Sequence, residues 1–341
     1  SKIIYLVSDY RILMKILFIA GRWAQNIEET KNYQALAKKA EVHLTTETDQ
    51  DILTAKAKDV DIIITGAPVS AKVTNGAKRL KMIQTTSVGY DRIDVDAAAA
   101  NGVIICNVAE SNANSVAELV FGLTLDVARR ISAHDRLLRD GGWARYHVER
   151  QVQIRGGTLG IIGLGAIGSR VAQIGKNAFN MRILACDPYI IPDRAEQFGG
   201  KLVDMETLLK ESDVVTTHTP LNEETRHLIG EKELSLMKPT AILINTSRGP
   251  VVDEKALIKA LKEEKISGAG LDVFETEPME KDNPLRSLDN VVMTPHIGST
   301  PGALRYMLEV AIDNVMRVVE GKEPFRIKTP DTYYTSEKWE A

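Results

Sequence analysis

An α/β protein with two doubly wound domains is the fold class this sequence predicts, and three observations carry the prediction. Apolar runs of strand length alternate with stretches of helical length from Lys15 to Glu320, the pattern of βαβ units assembled into parallel sheets. Residues 158–187 compress a buried strand, a glycine turn, a helix and a second strand into one such unit. The chain, at 341 residues, is also too long for one small core and suits two domains.

In chain order, strands are expected over 16–20, 41–44, 60–65, 82–86 and 103–106, with helices over 33–40 and 49–57 between them. The run 60–65 is nearly all apolar, as for a parallel strand buried on both faces. Residues 111–139 show one long helical periodicity through Ala117, Val120, Phe121, Leu123, Thr124, Leu125 and Val127, with Asn112, Asn114 and Ser115 as candidate caps. This helix is expected to cross between domains. Beyond 187, strands are expected over 213–218, 241–245, 269–273 and 291–294, with a helix over 253–264. A late helix over 301–320 can return the chain to the first domain. The domain boundaries are therefore 1–112 with 301–341, and 113–300. The tail 322–341 is polar and reads as a surface arm, and residues 1–13, ahead of Met14, read as an extension. Residues 58–63 and 211–215 carry similar patterns, an acid followed by β-branched residues, at corresponding points of the two halves.

The unit at 158–187 specifies a ligand. Gly163 permits a tight turn off the strand, Gly165 lets a pyrophosphate approach bare backbone at a positive helix N-terminus, and Gly168 lets helix and strand pack closely. Asp187 ends the second strand, 19 residues past Gly168, where a carboxylate binds ribose hydroxyls and repels a 2′-phosphate. A glycine turn alone is weak, but strand, turn, helix and acid occur here together. The cofactor expected is NAD, not NADP.

Composition narrows the class. Hydrophobic residues at 44% and charged residues at 26% are ordinary for a globular protein, and 5% aromatics argue against base-stacking surfaces. A net charge of −3 without a basic run gives no footprint for nucleic acid. No apolar run reaches the ~18 residues of a membrane span, and the segment 3–7 is too short for a signal peptide. The two cysteines, Cys106 and Cys186, sit in apolar strand-like runs and point to a reducing compartment, the cytoplasm. No His, Cys or Asp cluster has metal-ligand spacing, so no metal is expected.

Reducing a 2-keto acid requires a cation for the carboxylate and carbonyl, a proton donor, and a group that keeps that donor protonated. Arg248, Glu277 and His296 each follow an apolar strand of the second half, the ligand-bearing end of an open α/β sheet. Taken singly, each reads more often as a loop charge, a turn or a structural histidine. His218 reads as structural, and His43, His134, His147 and His227 have no partner pattern.

As an ordered set these segments resemble the D-2-hydroxyacid dehydrogenase family from about Met14 to Gly321. The matching motifs are Ser87-Val88-Gly89-Tyr90-Asp91, Ser115-Val116-Ala117-Glu118, the glycine turn, His218-Thr219-Pro220-Leu221, and residues 245–252, 268–278 and 294–298. The resemblance implies a flavodoxin-like substrate domain and a Rossmann NAD-binding domain. It implies Arg248 as substrate ligand, His296 as acid/base and Glu277 as its partner, with a neighbouring carboxylate stabilising imidazolium. Ser87 and the N–H groups of Val88 and Gly89 would hold the substrate carboxylate, and Asp272 the nicotinamide amide. Ala166, Ile167, Thr219, Pro220, Thr225, Thr246, Ser247, Gly298 and Ser299 would complete the cofactor site. The region of 111–139 and Gly141-Gly142-Trp143 resembles the family's dimer-forming segment, implying a homodimer.

Two substrate readings compete within the family. Phosphoglycerate dehydrogenases of the family place arginines where this chain has Thr65, Gly66 and Ala67, and Gln84, Thr85 and Thr86, so a small substrate without a phosphate, such as glyoxylate, hydroxypyruvate or pyruvate, fits better. Arg92 stands where asparagine is common in the family and could supply a charge. The family also resembles NAD-sensing corepressors, a binding-protein alternative that a turnover assay separates from an enzyme.

Overall fold

The computed structural model describes residues 13–21, 26–143, 151–325 and 327–328. Its strands are β1 (Lys15–Ile19), β2 (Glu41–Thr45), β3 (Ile62–Thr65), β4 (Met82–Thr85), β5 (Ile104–Cys106), β6 (Thr158–Ile162), β7 (Arg182–Cys186), β8 (Gly200–Leu202), β9 (Val214–Thr217), β10 (Ile242–Asn245), β11 (Gly268–Leu271), β12 (Val291–Met293) and β13 (Ile327–Lys328). They form two sheets, ordered β13-β5-β4-β3-β1-β2 and β12-β11-β10-β9-β6-β7-β8. Every pairing is parallel except that of β13 with β5. The chain divides into two compact units, one containing the described residues up to Ala109 and from Leu304 on, the other Glu110–Ala303.

The first unit has the doubly wound order 2-1-3-4-5 of flavodoxin-like sheets, with β13 added at the β5 edge. Its inner strands β1, β3 and β4 are buried on both faces, and their side chains alternate between two cores, while the edge strand β2 is largely exposed. Phe18, Ile62 and Ile64 pack against Leu308, Ile312 and Val315 of the helix Pro301–Val319. Leu17, Ile63, Ile83 and Ile105 pack with Leu53 and Val73 on the opposite face. Each such fully buried side chain stabilises the fold by roughly 1.5–3 kcal/mol. The polar tail thus contributes an edge strand as far as Lys328, and 329–341 fall outside the described residues, as do 1–12 of the expected extension.

The second unit is a seven-stranded sheet whose order from β8 to β12 is 3-2-1-4-5-6-7, the Rossmann arrangement with its switch point between β6 and β9. Ile161, Ile242 and Ile244 face Val120, Leu123 and Val127 of the helix Ala113–Arg129, while Ile162, Val215 and Leu243 face the opposite layer.

The acid shared by the two sequence halves has one structural job in each. Asp61 precedes β3 and accepts the backbone N–H of Lys15 at 3.0 Å, the first residue of β1. Asp213 precedes β9 and accepts the N–H of Thr158 at 2.7 Å, the first residue of β6. Burial alone would raise the Asp61 carboxyl, but the Lys15 N–H together with Arg79 and Lys81 outweighs it and holds Asp61 below the usual carboxylate range. Lys238 pairs with Asp213 at 2.8 Å.

One expected element differs. The periodicity over 111–139 is realised as two helices, Ala113–Arg129 and Ile131–Arg139, because Arg130 turns into the left-handed region at φ 54°. Asp126 caps the restart by accepting the Ser132 N–H at 2.7 Å and bonding the Ser132 hydroxyl. Asn112 and Ser115 do not cap with their side chains. Asn112 donates to Ser299 Oγ at 3.0 Å and Ser115 to the Gly298 carbonyl at 2.8 Å, which spends both on the loop after β12.

Candidate active site

The glycine turn after β6 opens on a pocket of about 420 Å³ lined by Gly163, Gly165, Asp187, Tyr189, His218, Thr219, Pro220, Asn222 and Thr225. Gly163 sits at φ +90°, a conformation open to glycine, and a Cβ there would meet the His218 carbonyl at 2.9 Å. At Gly168 a Cβ would lie 2.2 Å from the Gly163 carbonyl, so helix and turn touch backbone to backbone. Gly165 faces open space, and it starts the helix Ala166–Phe179 without a side-chain cap. The first N–H groups of that helix, at Ala166 and Ile167, are orphan donors beside the positive end of its dipole.

Asp187 is held from behind. Leu164 N–H donates to Oδ2 at 2.8 Å and Tyr189 N–H to Oδ1 at 3.0 Å, which fixes the carboxylate and leaves each oxygen a further lone pair. Thr219 Oγ1, Thr246 Oγ1 and His218 Nδ1 are buried with no hydrogen-bond partner among the described residues. The unmet atoms of His218 and Thr219, an uncapped helix start and an oriented carboxylate around one pocket fit a dinucleotide. Burial pushes the His218 imidazole down to about 3, so it is neutral and its Nε2 pairs with Thr216 Oγ1 at 3.0 Å.

Tyr189, Asn222 and His218 are pocket residues that sequence reasoning did not choose. The position of Tyr189, two beyond Asp187, was the available signal for the first; nothing marks Asn222 until Thr225 folds back, its Oγ1 donating to the Pro220 carbonyl at 2.6 Å. Ser247 is drawn inward, its hydroxyl 2.9 Å from Asn245 Oδ1.

Arg248, Glu277 and His296 all stand beyond the C-terminal ends of their strands, β10, β11 and β12. His296 Nδ1 lies 2.8 Å from Glu277 Oε2, and Glu277 Oε1 accepts the Phe274 N–H at 3.1 Å. The carboxylate is therefore gripped on both oxygens. Arg248 donates through Nη1 to the Ser247 carbonyl at 2.8 Å. Its neighbour Gly249 lies so close to the β11 turn that a Cβ would come within 1.9 Å of Phe274 carbonyl carbon and oxygen. That contact brings the Arg248 turn onto the turn that holds Glu277.

Asp272 anchors the His296 loop. Its carboxylate accepts Thr294 Oγ1 at 2.6 Å and the N–H groups of Ile297 and Gly298 at 2.8 and 2.9 Å, while its carbonyl accepts the His296 N–H at 2.8 Å. Burial raises its pKa against these donors.

Ser87, Val88 and Gly89 belong to the first unit, following β4. The Ser87 carbonyl accepts Thr85 Oγ1 at 2.7 Å, and the Val88 carbonyl accepts Asn107 Nδ2 at 2.7 Å. A trans peptide points its N–H away from its carbonyl. The Val88 and Gly89 N–H groups are consequently directed away from those partners.

A family model described as D-isomer specific 2-hydroxyacid dehydrogenase, NAD binding domain, matches residues 121–298. A glyoxylate reductase of Thermococcus litoralis is 43% identical over 84% of this chain and 88% of its own length. A D-3-phosphoglycerate dehydrogenase of Methanocaldococcus jannaschii is also 43% identical over 84% of this chain, which spans 55% of that longer protein. The crystal structure of a glyoxylate reductase from Paecilomyes thermophila superposes with TM-score 0.84 at 30% identity, over 94% of this chain and 99% of that one. With the nucleotide pocket and the two sheet orders, these matches place the chain in the D-isomer-specific 2-hydroxyacid dehydrogenase family, oxidoreductases that use a nicotinamide cofactor.

Proposed function

We propose that the protein transfers hydride between NAD and C2 of a small 2-keto or D-2-hydroxy acid, of the size of glyoxylate or hydroxypyruvate. The observation that carries the reading is the His296–Glu277 pair at 2.8 Å, beyond the strand ends of the nucleotide-binding sheet.

The bound nicotinamide supplies or receives the hydride. The chain supplies the rest. An ionised Glu277 only accepts hydrogen bonds, so His296 Nδ1 carries the proton of that bond and Nε2 faces the substrate. Protonated, Nε2 donates to the carbonyl oxygen as it becomes an alkoxide; neutral, Nε2 takes the hydroxyl proton back in the oxidation direction. Arg248 binds the substrate carboxylate and polarises the carbonyl, with the Val88 and Gly89 N–H groups as further carboxylate ligands. Residues 1–112 with 301–341 act as the substrate domain and 113–300 as the nucleotide domain. Three acceptor sites of the Asp272 carboxylate are filled internally, which leaves one for the nicotinamide amide.

NAD in preference to NADP rests on Asp187, whose charge opposes a 2′-phosphate. The unphosphorylated substrate rests on the positions where a phosphate would need cations. Thr65, Gln84, Thr85 and Thr86 are buried and uncharged there, and Gln84 is engaged by Asn314 Nδ2 at 2.7 Å. A homodimer is supported by the exposed apolar residues Ile131, Leu138 and Trp143, and a cytoplasmic location by two free buried thiols. Among the described residues no helix is long and apolar enough to cross a membrane.

The deciding experiment is NADH oxidation with glyoxylate, hydroxypyruvate, pyruvate and 3-phosphohydroxypyruvate, each repeated with NADPH. The reading requires the highest kcat/KM with NADH and a non-phosphorylated acid. No turnover with any of the four acids overturns it in favour of a binding protein. Sedimentation at micromolar concentration tests the dimer.

A further inference from the structure

We propose that His227 is a positioning residue that locks the Arg248 turn to the Glu277 turn. This rests on the reaction assigned above. Its backbone N–H donates to the Pro250 carbonyl at 2.7 Å, within the turn that follows Arg248. Its Nε2 lies 2.7 Å from Glu275 Oε1, two residues ahead of Glu277. One residue thus holds both turns, which come from different strands.

The lock has a second half. Glu275 Oε1 also accepts the N–H of Glu254 at 3.4 Å, the first residue of the helix Glu254–Lys262, while Glu254 Oε2 accepts the Glu275 N–H at 3.1 Å. Asn283 Nδ2 steadies Glu254 Oε1 at 2.7 Å. The two turns also approach each other where Gly249 meets the Phe274 backbone. A van der Waals contact resists compression but not sliding, so the hydrogen bonds that His227 and Glu254 make with Glu275 set the register along which Arg248 and Glu277 face the substrate. His227 is the member that also grips the Arg248 turn. An error of 1 Å in such an alignment costs up to about a hundredfold in rate.

His227 and Glu275 side chains are 44% and 30% exposed, and pairs of that exposure add little to global stability. A clamp and a merely stabilising contact therefore predict different results. The variants are His227→Ala, Glu275→Ala and His227→Gln, the last keeping an amide donor toward Glu275. Hydrogen exchange of the cofactor-free protein is measured over 249–253 and 274–278, with kcat, KM and NADH affinity measured in parallel. For His227→Ala the expected result is faster exchange in both turns together, a fall in kcat and a rise in keto-acid KM of about tenfold each, unchanged NADH affinity and an unchanged melting temperature. Glu275→Ala should show at least the same loss, and His227→Gln should recover most of it. Unchanged exchange in either turn, or loss of NADH affinity in step with the rise in KM, overturns the proposal. Absence of turnover in the unaltered protein would instead overturn the assigned reaction, and the exchange measurement would still decide the clamp.

Discussion

His296 Nδ1 and Glu277 Oε2 stand 2.8 Å apart, although 19 residues separate them in sequence. The contact commits Nδ1 to the carboxylate, which leaves Nε2 as the nitrogen that the proposed reaction uses. Replacing His296 by Asn should lower kcat by about a thousandfold, the scale of general acid–base catalysis, while NADH still binds. Glu277→Gln keeps the shape but not the charge and should lower kcat less, by about tenfold to a hundredfold. Steady-state kinetics with fluorescence titration of NADH checks both.

Asp187 should govern the choice of nucleotide. Removing the carboxylate in Asp187→Ser forfeits hydrogen bonds to the ribose and the repulsion of a 2′-phosphate, so NADH affinity should fall about tenfold, equivalent to roughly 1.4 kcal/mol. The NADPH-to-NADH ratio of kcat/KM should rise in the same variant. A ratio that does not move would assign the preference to other residues of the pocket.

The neutral imidazole of His218 gives a stability profile with a definite sign. In the unfolded chain it takes a proton near pH 6.5, whereas burial in the folded protein delays this to about 3. Between those values the unfolded state binds the additional proton, so stability drains away as pH falls through that window and is untouched above it. His218→Gln should flatten this component, visible as a smaller shift of the urea midpoint between pH 7 and pH 4 than in the unaltered protein.

Gly249 has no room for a side chain, since a Cβ would sit 1.9 Å from the Phe274 carbonyl. Gly249→Ala must push the two turns apart, costing about 1–3 kcal/mol as for other overpacked sites. Thermal denaturation should register that loss, and kcat should fall with it.

Both thiols should be inert in the native state. Burial raises Cys106 to about 12, and burial aided by Asp187 and Asp204 raises Cys186 to about 12, so the reactive thiolate is scarce at neutral pH. A disulfide exchange reagent should label neither until denaturant is added, and both afterwards.

The parts of this molecule legible in its sequence are those where the backbone itself is constrained. The glycine turn at 163–168 and Asp187 could be read directly because few residues satisfy a positive φ, a close approach and a terminal carboxylate at that spacing. Arg248, Glu277 and His296 were distinguishable from ordinary loop residues through their order and their match to a family, since nothing local records that distant turns converge. The helix break at Arg130 was hidden because the hydrophobic period continues across it, and left-handed arginine has no sequence signature. β8 and β13, of three and two residues, are too short to show a period. Asn222 became a pocket residue only through tertiary placement, whereas Tyr189 carried a signal in its position two beyond Asp187.

Asp61 and Asp213 each fasten the opening residue of a central strand at the end of the sheet remote from the ligand-bearing loops. Under the proposed function, folding information and chemical specificity are lodged at opposite poles of each sheet. Loops at the chemical pole can exchange residues, and with them substrates, while the anchored pole keeps the architecture intact. That separation is a physical basis for one scaffold serving reductases of many different acids.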